Sequence, residues 1–247
     1  MIIKRQVFLL ATDILSENIF DMYRKLQQAT SQFGDVWILL HQKDDSLPIQ
    51  PENVNIHTFT DSILHDLNYT PITKSLIPGS NHFSLLHYFL NNPPFDFYWY
   101  IENDAVFNGD WQFFFNAFSE LKADMISSQI ELYKNKPIWY WWHTLQHPTK
   151  NVPVEDRLCS FNPVYRLSFT ALSFIHEALL DNWSGHHEVV LPTLLHNNNF
   201  TIMDFGGKGY FAPPGFKNRF YSWETFRWRP VFKTVGILKN KLYHPVK

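Results

Sequence analysis

The stretch Gln6–Thr12 (QVFLLAT) is an unbroken apolar run that stops at a polar turn, and no other segment constrains the fold as much. A strand buried on both faces reads as a continuous run, whereas a strand with one wet face alternates. Ser16 then stands as a helix N-cap, and in residues 17–29 (ENIFDMYRKLQQA) Ile19, Phe20, Tyr23 and Leu26 recur at helical spacing. Residues 35–41 (DVWILLH) read as a second strand and residues 54–59 as a third, weaker one. Strand, helix, strand in this order opens a doubly wound α/β sheet. The alternation continues with a helix over 81–90, an aromatic strand over 95–101 (FDFYWYI), a helix over 110–121 and a strand over 124–130.

Beyond residue 130 the pattern loosens. Residues 137–147 (PIWYWWHTLQH) crowd aromatics together, and residues 161–168 (FNPVYRLS) lead into a helix. Ser184-Gly185 opens a further helix (HHEVVLPTLLHN), residues 201–205 read as a short strand, and Gly206-Gly207 with Pro213-Pro214-Gly215 make the following stretch a loop. With no linker, repeat or low-complexity segment, residues 1–247 read as one α/β domain, a size that buries a substantial core. Residues 1–13 read as the approach to a first strand rather than a signal peptide, since an acid follows the apolar run and no small-residue cleavage site appears.

Composition narrows the function. Charged residues are 18% of the chain and the net charge is −2, so there is no electrostatic case for a nucleic-acid partner. The aromatic share, 17%, exceeds what a core needs and leaves rings for stacking on sugars or bases, although bulky core accounts for most of it. From Lys217 onward Arg219, Arg227, Arg229, Lys233, Lys239, Lys241 and Lys247 face a single acid, Glu224. A basic, aromatic segment of this kind suits a pyrophosphate or an anionic membrane surface. Cys159 is the only cysteine, which rules out an intramolecular disulfide and a thiolate metal cluster and fits a cytoplasmic protein. No run approaches 18 uninterrupted apolar residues.

Three local signals carry chemistry. In Glu102-Asn103-Asp104 the acids are two apart, so on a strand both carboxylates share a face. They sit at the carboxyl end of a central strand, where open α/β sheets bind ligands. Two hard oxygen donors there suit Mg²⁺ or Mn²⁺; the plain alternative is a turn with solvated acids. Glu188 falls in the first turn of the helix after Gly185, as a general base on a rigid element or as an acid that the helix dipole favours. His244, in the segment LYHPVK, is a metal ligand if that segment folds over a site and an exposed side chain otherwise. A chain end contributes little core as a rule, so residues 243–247 should be removable without loss of the fold. His143 and His147 have the spacing of a helical zinc pair but lack a catalytic acid between them, and packing is the better reading. In Trp139-Tyr140-Trp141-Trp142 an extended backbone would turn alternate rings to opposite sides, half of them toward an acceptor cleft.

Taken in order, these motifs resemble the GT-A-fold nucleotide-diphospho-sugar glycosyltransferases. The HEVVLPTLL helix and the LYHPVK segment are similar to those of a small bacterial group within that superfamily. The resemblance implies a single Rossmann-like GT-A domain with a mainly parallel central sheet flanked by helices. Residues 1–130 would be the nucleotide-sugar-binding half, and residues 131–247 the acceptor-binding half with a metal-closing tail. It implies that Glu102 and Asp104 form a DxD motif and that His244 completes the shell of Mn²⁺ or Mg²⁺. Thr12, Asp13 and Asn103 would hold the nucleoside side of the donor, and Glu188 would be the base of an inverting transfer. The implied partners are a nucleotide-diphosphate sugar, above all a UDP-sugar, and a carbohydrate or lipid-linked acceptor, as in bacterial polysaccharide biosynthesis at the inner face of the membrane. The sequence departs from the pattern in having Glu102 for the first Asp and His187-Glu188-Val189 in place of x-Glu-Asp. A nucleotidyltransferase would show a glycine-rich loop after the first strand, which Ala11-Thr12-Asp13-Ile14-Leu15 lacks. A non-catalytic carbohydrate-binding module would explain the aromatics but is usually all-β, whereas this chain opens β-α-β; a non-catalytic carbohydrate- or nucleotide-sugar-binding protein stands as the alternative, and a metallohydrolase would need a richer His and Asp set.

Overall fold

The computed structural model describes residues 5–43 and 51–247; residues 1–4 of the opening run lie outside it. The run Gln6–Thr12 forms β1, buried along nearly all its length, as a strand covered on both faces must be. The chain proceeds through α1 (Glu17–Thr30), β2 (Gly34–His41), β3 (Ile56–Phe59), α2 (Ile63–Asp66), α3 (His82–Asn91), β4 (Phe97–Glu102), β5 (Val106–Phe107), α4 (Trp111–Asn116), β6 (Met125–Leu132), β7 (Leu158–Ser168), α5 (Phe169–Leu180), α6 (His187–Asn197), β8 (Ile202–Asp204) and β9 (Leu242–Tyr243). Seven strands make one sheet in the order β3-β2-β1-β4-β7-β6-β8, while β5 and β9 form a separate two-stranded ribbon. The pairs β1–β2, β1–β4, β2–β3 and β6–β8 are parallel, and β7 runs antiparallel to both neighbours. The mainly parallel α/β architecture expected from the sequence is therefore the one observed, and it is Rossmann-like.

Winding direction reverses at β1. β2 and β3 are laid down on one side of it and β4 on the other, with Ala11 opposite Glu102 at the carboxyl ends. Such a reversal opens a crevice beyond the strand ends, because the connections leave in opposite directions.

Alternate side chains of the central strands feed two cores. Val7, Leu9, Tyr98 and Tyr100 pack with α3, α5 and α6, whereas Phe8, Leu10, Trp99 and Ile101 pack with α1 and α4. Much of the aromatic excess lies in the second core, where the Trp99, Phe107, Trp111, Phe114, Phe118, Phe205 and Phe220 side chains are buried together.

Several boundaries differ from expectation. Ser16 has the extended backbone of an N-cap and its carbonyl accepts from Ile19 and Phe20, but its side chain makes no cap bond. The helix expected over 110–121 stops at Asn116. The fully buried Arg166 guanidinium takes the carbonyls of Phe118, Leu121 and Ala123 at 2.8–3.2 Å, so the chain unwinds to present them. The tryptophan-rich stretch is not extended. Tyr140–Thr144 is a 3-10 helix, which leaves Tyr140 77% exposed, buries Trp142 and stacks Trp141 on His186 at 4.5 Å.

Candidate active site

The carboxylates of Glu102 and Asp104 do meet, though not by strand alternation. β4 ends at Glu102, and the Ala105 N–H bonds back to the Glu102 carbonyl at 3.0 Å. The resulting turn carries Asp104 round to the same side. Both side chains are partly buried, and both lie 3.2 Å from the Nε2 atom of His244. One donor atom from each of the three residues falls within 4.8 Å of the others.

His244 is held there by a segment that is core rather than appendage. β9 pairs with β5 just past Asp104, and Leu242, Tyr243 and His244 are buried. The His244 N–H bonds to Thr225 O at 3.0 Å and the Val246 N–H to Asp104 O at 2.9 Å. The premise that this segment contributes little core, on which the expected tolerance to removing residues 243–247 rested, does not hold. The His244 Nδ1 atom lies 2.9 Å from the Arg227 carbonyl, which can only accept, so Nδ1 carries the hydrogen and Nε2 faces the acids. Burial pulls the imidazole pKa down, but the contacts with Asp104 and Glu102 outweigh it and raise the pKa to about 9. The two acids favour a proton on His244, and a divalent cation held by the same three side chains would replace that proton with a stronger positive charge.

The donor set fits such a cation. Two carboxylate oxygens and an imidazole nitrogen are a donor set that a divalent cation accepts. Of the basic residues in the 217–247 segment, Lys247 reaches toward Asp104 at 3.9 Å. Lys241 is engaged with the Asn218 and Arg219 carbonyls, and Arg227 and Arg229 lie over Phe232 and Trp228.

Glu188 occupies the first turn of α6, as expected, with its side chain largely buried. The Asn162 backbone N–H donates to its Oε1 at 3.2 Å, and His186 caps the helix by accepting the Glu188 N–H at 3.2 Å. Burial pushes its carboxyl pKa up to about 7, against the Asn162 bond and the charge of Lys136. The nearby charges of Glu102 and His244 also act on it, so the base candidate and the triad share one electrostatic environment. A carboxyl half-ionised near neutrality is suited to taking a proton.

Thr12 and Asn103 meet at the carboxyl ends of β1 and β4. The Asn103 amide donates to Thr12 Oγ1 at 3.0 Å, and the same hydroxyl donates to Ile14 O at 3.0 Å and accepts from Ile14 N at 3.3 Å. The Thr12 side chain is therefore spent on shaping this turn, and Asp13 remains the exposed polar side chain beside it. The His143/His147 pair is not a zinc site. The 3-10 helix ends before His147, whose Nδ1 accepts the N–H groups of Thr149 and Lys150 and whose ring packs on Trp183.

Sequence reasoning missed Asn81, whose amide donates to Glu102 at 3.4 Å, and Asn162, which acts on Glu188 through its backbone. Neither stands in a motif, and a backbone N–H has no sequence signature at all.

No family model and no curated protein matches the chain. Among solved structures it is similar to the inositol-1-phosphate CTP transferase of T. maritima (9% identity, TM-score 0.43, covering 83% of this chain and 86% of that one). It is also similar to HddC from Yersinia pseudotuberculosis (12%, 0.42, 82% and 89%). A third likeness is to the galactosyltransferase LgtC in complex with donor and acceptor sugar analogs (9%, 0.40, 88% and 74%). Likenesses this distant say nothing of what this chain does.

Proposed function

We propose that this protein is a metal-dependent glycosyltransferase of GT-A type that moves a sugar from a nucleotide diphosphate, UDP above all, to a hydroxyl of a carbohydrate or lipid-linked acceptor. The observation that carries the reading is the convergence of Glu102, Asp104 and His244 at the β1/β4 reversal, with Glu188 in the same electrostatic environment.

Glu102, Asp104 and His244 would hold Mn²⁺ or Mg²⁺, which when bound supplies charge neutralisation to a departing diphosphate. Lys247 adds positive charge beside Asp104. Asp13 offers a carboxylate to ribose hydroxyls at the end of β1, and the Thr12–Asn103 contact fixes the turn that presents it. Glu188 takes the proton of the acceptor hydroxyl while that hydroxyl's oxygen forms a bond to the anomeric carbon. The bond from that carbon to the diphosphate breaks, and the nucleoside diphosphate leaves with the electron pair. A single displacement of this kind inverts the anomeric centre. Residues 1–130 then serve the donor, and residues 131–247 serve the acceptor and supply His244. The surface beyond Phe226, with Trp228 71% and Ile237 92% exposed among basic residues, suits contact with the inner face of a membrane. No helix among the described residues is long and apolar enough to cross one.

The test is calorimetry of UDP and GDP binding with Mn²⁺ and with chelator. The reading expects binding of one nucleotide to depend on the ion; equal affinity in both conditions counts against it.

A further inference from the structure

β6 breaks its pairing register with β7 between Ser128 and Glu131, and Gln129 stands in the break at φ +49°. Among the described residues, the other six non-glycine residues at positive φ are all asparagine. Asparagine tolerates the left-handed region better than longer side chains do. At 129 the chain instead carries the residue one methylene longer, and buries it. A strained backbone kept with a less suitable residue points to a use for that side chain.

The use is visible in its contacts. The Gln129 amide donates to the Phe226 carbonyl at 2.6 Å. Residues 225–227 are the bed on which His244 lies. The Thr225 carbonyl accepts the His244 N–H, the Phe226 ring packs edge-on to the imidazole at 5.8 Å, and the Arg227 carbonyl accepts from Nδ1. Gln129 ties this bed to the central sheet, and Gln129 is itself tied down. Its backbone N–H donates to the Tyr221 hydroxyl at 2.7 Å, and that hydroxyl donates to the buried Asp204 carboxylate at 2.9 Å. Asp204 also accepts the N–H groups of Ile130, Gly206 and Gly207 at 2.7–3.1 Å. A Cβ on Gly207 would lie 2.6 Å from the Tyr221 hydroxyl and 2.7 Å from the Asp204 carboxylate, so only glycine permits this closure. Breaks in strand register of this kind re-aim side chains beside functional sites.

We propose that Gln129 is a positioning residue for the metal triad. From its fixed place in β6 it holds residues 225–227, and through them it sets the approach of His244 Nε2 to Glu102 and Asp104. This role rests on the reading of Glu102, Asp104 and His244 as a metal site. Partners that orient a metal ligand change affinity without touching the ion. Here the orienting partner is a backbone carbonyl, so it is controlled by a side chain that holds the backbone. A purely structural residue would leave metal affinity alone, because the folded protein binds equally well until unfolding becomes populated.

Gln129→Asn and Gln129→Met test this through two different losses. Asparagine suits the left-handed backbone but leaves the amide short of the Phe226 carbonyl, whereas methionine keeps the length without a donor. Should methionine fail to fold, asparagine still decides. Calorimetry of Mn²⁺ binding well below the melting temperature should show affinity about tenfold lower in each variant. In a His244→Gln background the same substitutions should change affinity by less than about twofold, because the effect runs through that ligand. Leu172→Ala, in the core on the other face of the sheet, should lower the melting temperature and keep Mn²⁺ affinity within about twofold. Unchanged affinity in Gln129→Asn would overturn the proposal, as would an equal loss in the His244→Gln background or in Leu172→Ala. A parent protein that binds no Mn²⁺, or binds it as well after His244→Gln, would overturn the metal reading itself.

Discussion

Replacing Glu188 by Gln separates catalysis from structure, because the two roles predict opposite changes in stability. The Glu188 carboxyl pKa is raised by burial from 4.5 to about 7. Ionisation is thus harder in the folded protein than in the unfolded one. The contribution of this group to stability is complete below about pH 4.5 and is lost as pH rises through about 7. The rise corresponds to roughly 3 kcal/mol, taken as an upper bound. Gln keeps an acceptor for the Asn162 N–H and never ionises. Glu188→Gln should therefore be more stable than the parent at pH 8, by up to that amount, and equal to it near pH 4.5. An acid retained only for the helix dipole would instead lose about 0.3–1 kcal/mol on neutralisation. As the base, Glu188 should also set the rate. Donor hydrolysis, with water in place of the acceptor, should rise with pH toward about 7 and level off above it. The variant should lose a factor of about 10² to 10⁴ and that pH dependence. Melting curves at the two pH values and a pH–rate profile measure both. A variant that is less stable at pH 8 and retains near-normal turnover would refute the assignment.

Other substitutions act on the triad. Asp104→Asn should abolish metal-dependent turnover while leaving the melting temperature of the chelated protein within a few degrees, because no core volume is emptied; collapse on heating would make Asp104 a structural residue. Since His244 titrates at about 9 without metal, Mn²⁺ affinity should climb about tenfold per pH unit from pH 6 toward 9. Calorimetry in chelated buffer exchanged into Mn²⁺ at each pH checks this, and a flat profile would remove His244 from the metal shell. The same raised pKa contributes stability to the metal-free protein that is complete below about pH 6.5 and lost as pH rises through about 9. Deleting residues 243–247 should cost about 3 kcal/mol or more by chemical denaturation, because buried Tyr243 packs on Phe232. His244→Gln should spare the fold, so a harmless deletion would mean that the segment is not core.

The first half of the fold is legible in the sequence because its strands are wholly buried and its helices amphipathic. β1, α1, β2 and β4 follow from period and burial to within a residue or two. What stays hidden is tertiary. β5 and β9 have two residues each and no period to detect, yet their pairing brings His244 to Asp104. Arg166 ends α4 by taking carbonyls more than 40 residues away in sequence. Trp139–Trp142 reads as an extended segment with half its rings turned toward a cleft, but a 3-10 helix buries Trp142 and gives its indole N–H the Lys136 carbonyl at 2.8 Å. Glu102, Asp104, Glu188 and His244 are singled out by their order along the chain, whereas Asn81 and Asn162 touch Glu102 and Glu188 through contacts that no motif encodes.

The central claim is that the diphosphate leaves and the sugar is transferred. The most direct measurement is to identify the phosphate product released with Mn²⁺ from two reactant sets: a panel of nucleotide sugars, and nucleoside triphosphates with sugar 1-phosphates. Release of a nucleoside diphosphate from one of the nucleotide sugars, lost on chelation and in Asp104→Asn, is the predicted result. Release of pyrophosphate from the second set, with the nucleotide sugars left intact, would contradict the account and make the protein a nucleotidyltransferase.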